Sequence, residues 1–173
     1  MIIFICIFII KNDKPKDIKY LYKPCDETIK LENIFFEPFA PSQEQEFAVM
    51  YINGKYIPCE GHVYSFDDEF YVYASYKSKV VSVEPYTAFD NTYTVILEYE
   101  NLQFTYNCLQ EPSVEEGQTL KTGQKVGIAQ KINMNNKEFY GLYYIIKVHN
   151  RLVNPTVAFK TKINDLLDET YGF

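Results

Sequence analysis

The sequence predicts a mainly β domain, an antiparallel sheet or sandwich closed by a C-terminal helix. Three observations predict it. From Phe47 onward, short runs rich in Tyr, Val, Ile and Phe succeed one another, the residue types that suit a pleated, half-buried surface. Gly117 and Gly123 stand six residues apart between short apolar segments, as turns in a compact β unit would. Asn154-Pro155 then offers a helix N-cap and a proline at the first helical position.

Each element follows in order. Residues 11–45 carry Pro15, Pro24, Pro38 and Pro41 with little periodicity, which reads as an extended lead-in with one short strand near Ile34–Phe36. Phe47, Val49 and Tyr51 alternate as a strand does. Strands are expected at Phe70–Tyr76, Lys79–Val83, Thr92–Tyr99 and Leu102–Cys108, with Glu100-Asn101 as a tight hairpin between the last two. Val114, Leu120 and Val126 repeat at the spacing of the two glycines. Leu142–Val148 is the last expected strand, and Phe159, Ile163 and Leu166 form the buried stripe of the terminal helix.

Composition narrows the function. The chain has 173 residues, 47% of them hydrophobic, enough for one domain with a core and too apolar for a disordered protein. Its formal net charge of −6, without a dense Lys/Arg cluster, argues against nucleic acid as a partner. The four cysteines, Cys6, Cys25, Cys59 and Cys108, include no C-x-x-C pair, so a zinc ribbon or thioredoxin-like motif is excluded by spacing. They read as buried thiols, not as a disulfide framework.

Met1–Ile10 is continuously apolar. Ten helical residues reach only about 15 Å, half of a hydrocarbon core of about 30 Å. No small-residue cleavage site follows, so a cleaved signal peptide is not supported. Two readings remain, a partial membrane anchor continued upstream or a buried N-terminal strand. The mixed-charge stretch Lys11–Lys19 resembles a juxtamembrane linker and favours the anchor. Its lysines nevertheless fall on the side that the positive-inside rule disfavours for an anchor entering N-terminus first.

The two histidines, His62 and His149, offer no H-x-H or H-E-x-x-H pair, and no G-x-S-x-G elbow or P-loop is present. Cys59 and His62 are close in sequence, but on one strand their side chains would point to opposite faces. Both histidines read as structural or surface residues.

Several segments together resemble a LytM, or lysostaphin-type, peptidase domain. They are Pro58-Cys-Glu-Gly-His-Val63, Phe70–Ser75, Lys79–Val83, Thr105–Leu109, Val114–Ala129, and Tyr144–Lys147 continuing to Val153-Asn-Pro155. The most specific are V-x-x-G-x-x-L-K-x-G-Q-x-V-G over residues 114–127 and the terminal V-N-P. The resemblance covers about residues 45–160 of a domain expected over 46–170. Within the family the pattern is most similar to the stage II sporulation protein Q type. In that branch a membrane-anchored, extracytoplasmic domain serves in a channel between forespore and mother cell. Tyr51–Pro58 is similar to an element that precedes the domain there, and residues 1–10 would suit the anchor.

The family's zinc ligands lie in H-x-G-x-D and H-x-H elements. The resemblance assigns these positions to Cys59, Val63, Gly141 and Tyr143. Val63 and Gly141 have no ligating group, Tyr143 is a poor zinc donor, and a lone thiolate does not hold a catalytic zinc. The expectation is therefore a degenerate peptidase without cofactor or metal, not an enzyme, acting as a protein-interaction scaffold outside the cell membrane. An edge strand would take the protein partner, in the channel branch a mother-cell membrane protein, with peptidoglycan as a second ligand. Tyr64, Tyr143 and Tyr144 could line a partner groove; filling the space of the lost metal site is the plainer role for them. A zinc endopeptidase acting on peptidoglycan and a phage-tail or envelope-binding structural protein are the alternatives. A biotinyl- or lipoyl-type carrier would need a modifiable lysine at a hairpin tip, and Lys121, the one candidate, lacks a flanking Met or Asp.

Overall fold

The computed structural model describes residues 18–25, 48–52, 55–59, 61–134 and 137–168. The apolar stretch 1–10 and the strand expected near Ile34–Phe36 lie outside them. In chain order the strands are β1 (Ala48–Ile52), β2 (Lys55–Cys59), β3 (His62–Phe66), β4 (Tyr71–Tyr73), β5 (Ser78–Pro85) and β6 (Tyr93–Tyr99). There follow β7 (Leu102–Leu109), β8 (Thr119–Leu120), β9 (Lys125–Ile128), β10 (Gln130–Met134), β11 (Lys137–Val148) and β12 (Arg151–Val153). Two short helices, α1 (Pro155–Ala158) and α2 (Ile163–Leu167), complete the described chain. The mainly β, antiparallel fold with a helical C-terminus is the one the sequence predicts.

β8, β5, β6, β7 and β11 lie side by side, joined antiparallel. Glu100, with φ 51°, turns the chain between β6 and β7, where Asn and Gly more commonly accept this left-handed geometry. β11 is the sheet's organising strand. Along one edge it pairs first with β10 and then with β7, and along the other with β3 and then β12. β1 with β2 and β4 with β9 form separate two-stranded sheets.

The two six-residue glycine units fold alike. Gly117 (φ 86°) and Gly123 (φ 74°) take the positive φ that a type II turn requires at its third position. In each turn the glutamine after the glycine closes the reversal twice. Gln118 donates its N–H to the Glu115 carbonyl (3.1 Å) and accepts the Glu115 N–H on its side chain (3.1 Å). Gln124 does the same with Lys121 at 3.0 Å and 3.0 Å. The repeat in the sequence is thus one turn design used twice.

Residues 18–25, part of the expected lead-in, pack on the domain. Tyr22 donates to the Ser75 carbonyl and Tyr73 to the Pro24 carbonyl, both at 2.8 Å, and Leu21 and Cys25 are buried. This segment also divides the expected C-terminal helix. The Ile163 N–H, which a continuous helix would use internally, bonds the Lys19 carbonyl at 2.9 Å, and Tyr20 bridges Lys162. Lys162 is accordingly extended (φ −66°, ψ 144°), and the helical stretch becomes α1 and α2. Ile163 and Leu166 remain its buried residues, with Phe159 packed against the core.

The core carries one buried polar cluster. The Ser75 hydroxyl accepts from the Tyr144 hydroxyl at 2.6 Å, and the Ser75 N–H donates to the Tyr106 hydroxyl at 3.0 Å. All three residues are fully buried, and the tyrosine rings lie 5.0 Å apart. Burial pushes the Tyr106 hydroxyl up to about 12 and raises that of Tyr144 well above its ordinary value. Ser75→Ala leaves the Tyr144 hydroxyl without its acceptor and should cost about 2 kcal/mol by denaturant unfolding. The unfolded chain loses its tyrosine protons near pH 10 while the native chain keeps them. Stability should therefore begin to fall above about pH 9, where the equally buried Cys108 thiol ionises in the unfolded chain, and fall more steeply between pH 10 and 12, by about 1.4 kcal/mol per pH unit for each retained proton. Tyr106→Phe should make that alkaline fall shallower.

Candidate functional site

The site is built on the face of β11 that turns away from this core. Leu142, Tyr144, Ile146 and Val148 point into the core, so Phe139, Gly141 and Tyr143 occupy the other face. Pairing extends that face sideways, because residues directly opposite in an antiparallel ladder share a face. On β3, Val63 stands opposite Tyr143 and Ser65 opposite Gly141. On β7, Asn107 stands opposite Tyr143, and on β10, Gln130 stands opposite Gly141 and Ile132 opposite Phe139.

Three of the four expected ligand positions thus meet on one face: Val63, Gly141 and Tyr143. The fourth, Cys59, ends β2, opposite Ala48 in the separate two-stranded sheet. His62 begins β3, so Cys59 and His62 belong to different strands. The opposite-faces expectation, which assumed a single strand, does not apply to them. His62 is instead opposite Tyr144, one step out of phase with Val63.

Gly61 fixes the approach of this segment to β11. A Cβ at Gly61 would overlap the Tyr144 backbone carbonyl and lie 3.0 Å from the Ile145 side chain. Only a residue without a side chain lets β3 begin at this distance. At Gly141 the space a side chain would enter is already filled: a Cβ there would meet Ile132 Cδ1 at 2.8 Å and Phe139 Cε2 at 3.1 Å.

The surroundings are apolar with a few polar groups. Ile132, Phe139, Tyr143 and Cys108 are buried, yet stand apart from the main core cluster. Asn107 is buried and accepts from the Thr94 hydroxyl at 2.7 Å. The Gln130 Oε1 is buried with no hydrogen-bond partner among the described residues. Cys108 takes φ 68° near the end of β7. Burial raises its thiol far above the ordinary range, and a bond with the Tyr143 backbone only partly offsets this, so it stays protonated at neutral pH. Among the described residues no three His, Cys, Asp or Glu side chains converge as a metal set would; the side chains of Cys59 and His62 are not among those described.

Tyr64, Tyr143 and Tyr144 do not line one groove. They are 8%, 5% and 0% exposed, and strand alternation divides them: Tyr64, opposite Leu142, and Tyr144 join the core, while Tyr143 faces the other way. His149 is a structural residue. Its φ is 49°, its N–H bonds the Asn101 carbonyl at 2.9 Å, and its ring lies 3.2 Å from the Leu167 carbonyl, tying the turn after β11 to α2.

Sequence reasoning missed Asn107, Gln130, Ile132 and Phe139 as parts of this face. One signal was available: Asn135-Asn136 separates two alternating runs and is the kind of pair that favours a two-residue hairpin. Met134 opposite Lys137 fits that spacing and sets Ile132 beside Phe139.

The β3–β11 arrangement has relatives. The profile of peptidase family M23 matches residues 59–155, more than half of the chain. The chain belongs to peptidase family M23. No curated protein matches this M23 chain. Solved structures do. A chain of the SpoIIQ–SpoIIIAH pore-forming complex is 23% identical with a TM-score of 0.65, covering 90% of this chain and 99% of that one. A chain of a second SpoIIIAH–SpoIIQ complex is 25% identical with a TM-score of 0.59, covering 79% and 98%. The catalytic domain of lysostaphin from Staphylococcus simulans is 16% identical with a TM-score of 0.54, covering 78% and 94%. The M23 domain therefore has the LytM fold, and structures similar to it come from protein complexes as well as from peptidases.

Gly61→Ala forces β3 off the Tyr144 carbonyl and should cost about 3 kcal/mol or more of unfolding free energy. An alanine at the exposed Glu116, measured in parallel, should change stability by no more than about 0.5 kcal/mol.

Proposed function

We propose that this M23 domain is a catalytically inactive scaffold, exported and held at the membrane by its N-terminal apolar segment, that binds a protein partner. One observation carries the reading. The resemblance assigns the family's zinc-ligand positions to Cys59, Val63, Gly141 and Tyr143, and Ile132 and Phe139 fill the space beside Gly141. A peptidase of this family needs several protein ligands around one metal and an open position for water. Here the later strand supplies a hydrogen atom and a phenol. The apolar packing beside them stabilises the sheet in place of a metal centre.

The scaffold role is supported by the likeness to chains taken from SpoIIQ–SpoIIIAH complexes. By analogy the partner is another membrane protein of a sporulation channel. An edge strand would serve such contact by main-chain pairing. β5 supplies one: β8 pairs with it only at Ser78 and Lys79, and Ser82–Pro85, beyond the irregularity at Val81, has β6 on one side alone among the described strands. Val81 is exposed.

Two measurements test the proposal. Incubated with purified peptidoglycan, the protein should release no new amino termini, whereas cleavage would overturn the inactive reading. In membranes from the source organism the domain should capture a specific protein partner. Val81→Lys, which places a charge on the open edge, should weaken capture at least tenfold while leaving the thermal midpoint within a few degrees. Undiminished capture would remove β5 from the interface.

A further inference from the structure

An exposed aromatic stripe runs along the domain beside its N-terminal segment. Ile18, Tyr20 and Tyr22 are 40%, 44% and 48% exposed, while Leu21 between them is buried. The Tyr22 ring meets the Tyr73 ring edge-on at 6.3 Å, and Tyr71, 50% exposed, shares the face of Tyr73 on β4. Gly123 lies beneath: a Cβ there would be 3.9 Å from the Tyr22 ring, so the turn leaves that ring uncovered on its outer side. These rings come from two separate parts of the chain, the N-terminal segment and β4, and form one surface. None of them contributes to the β3–β11 face.

Lysines accompany the stripe. Lys19 and Lys23 are exposed within the N-terminal segment, and Lys162 bridges Tyr20. Lys121 stands exposed on the turn that carries Gly123, and the Lys125 ammonium lies 4.0 Å over the Tyr71 ring. Asp67, Asp68 and Glu69 bound the stripe at the end nearest Tyr71.

We infer that this stripe lies against the surface of an anionic phospholipid bilayer. Tyrosine suits the boundary between headgroups and acyl chains, since its ring is apolar and its hydroxyl stays wet. Lysine stems lie along apolar surface while their ammonium groups reach outward to lipid phosphates. The place of the stripe in the chain agrees. Ile18 follows the apolar Met1–Ile10 by only seven residues, so an anchor formed by that segment would hold this face, and not the opposite one, next to the membrane. The inference rests on the tethered reading given above. Tethering also makes a weak surface contact effective, because docking becomes an intramolecular step.

The absence of Trp from the chain supplies the probe. Tyr22→Trp puts a single indole in the stripe, and Tyr93→Trp puts one at an exposed position on β6. Full-length protein is mixed with vesicles of phosphatidylcholine and phosphatidylglycerol carrying brominated acyl chains. The Tyr22→Trp emission should be quenched about threefold more than that of Tyr93→Trp. The difference should shrink by half or more in phosphatidylcholine alone or at high salt. If the protein sediments with vesicles yet Tyr22→Trp is no better quenched than Tyr93→Trp, the stripe does not face lipid, and the tether reading survives alone. If nothing sediments, both readings fall. A solution dimer abolished by Tyr22→Ser would assign the stripe to a second copy and overturn the lipid inference.

Discussion

The registration of β11 between β3 and β7 fixes both halves of this molecule. Alternation sends Leu142, Tyr144 and Ile146 into the core and leaves Phe139, Gly141 and Tyr143 on the opposite face. A slip by one residue would exchange the two sets, removing apolar side chains from the core cluster and stranding the Tyr144 hydroxyl that now bonds Ser75. Gly61 admits β3 against the Tyr144 carbonyl, and the Ser75 cluster holds the same residue from the core side. One strand position is therefore secured from two directions, and the remaining sheet extends from it through β7, β6 and β5.

The same registration is compatible with the proposed scaffold, because it keeps the family's frame without calling on metal chemistry. A metal centre on this face would need charged or imidazole ligands at adjacent strand positions, each costly to bury alone. Val63, Gly141 and Tyr143 meet that demand differently. Ile132 and Phe139 lean into the space beside Gly141, and the Thr94–Asn107 bond satisfies polar groups next to Tyr143. Such packing itself stabilises the sheet. The Gln130 oxygen is buried without a hydrogen-bond partner among the described residues.

Much of this was legible in the sequence because it is local. The alternation over Leu142–Val148, the hairpin at Glu100-Asn101 and the paired turns at Gly117 and Gly123 depend on neighbours a few residues away. The family spacing assigns ligand positions to Val63, Gly141 and Tyr143, and the strand register sets these three residues side by side. What escaped depends on distant segments. The helix breaks at Lys162 because Lys19 and Tyr20 take its backbone groups, and no periodicity near residue 160 records that. Ile132 reaches Gly141 only through the β10–β11 register. The groove assigned to Tyr64, Tyr143 and Tyr144 fails for a simpler reason: adjacent residues on a strand face opposite ways, so Tyr143 and Tyr144 could not share one surface.

The proposed loss of metal chemistry on the β3–β11 face is most directly tested by equilibrium dialysis of the full-length protein against micromolar zinc, with metal counted per chain and the thermal midpoint followed in parallel. The expected result is well under one equivalent of retained zinc and an unchanged midpoint, because a ligand that does not bind the native state cannot stabilise it. One equivalent of zinc retained per chain, with the midpoint rising by several degrees, would contradict it.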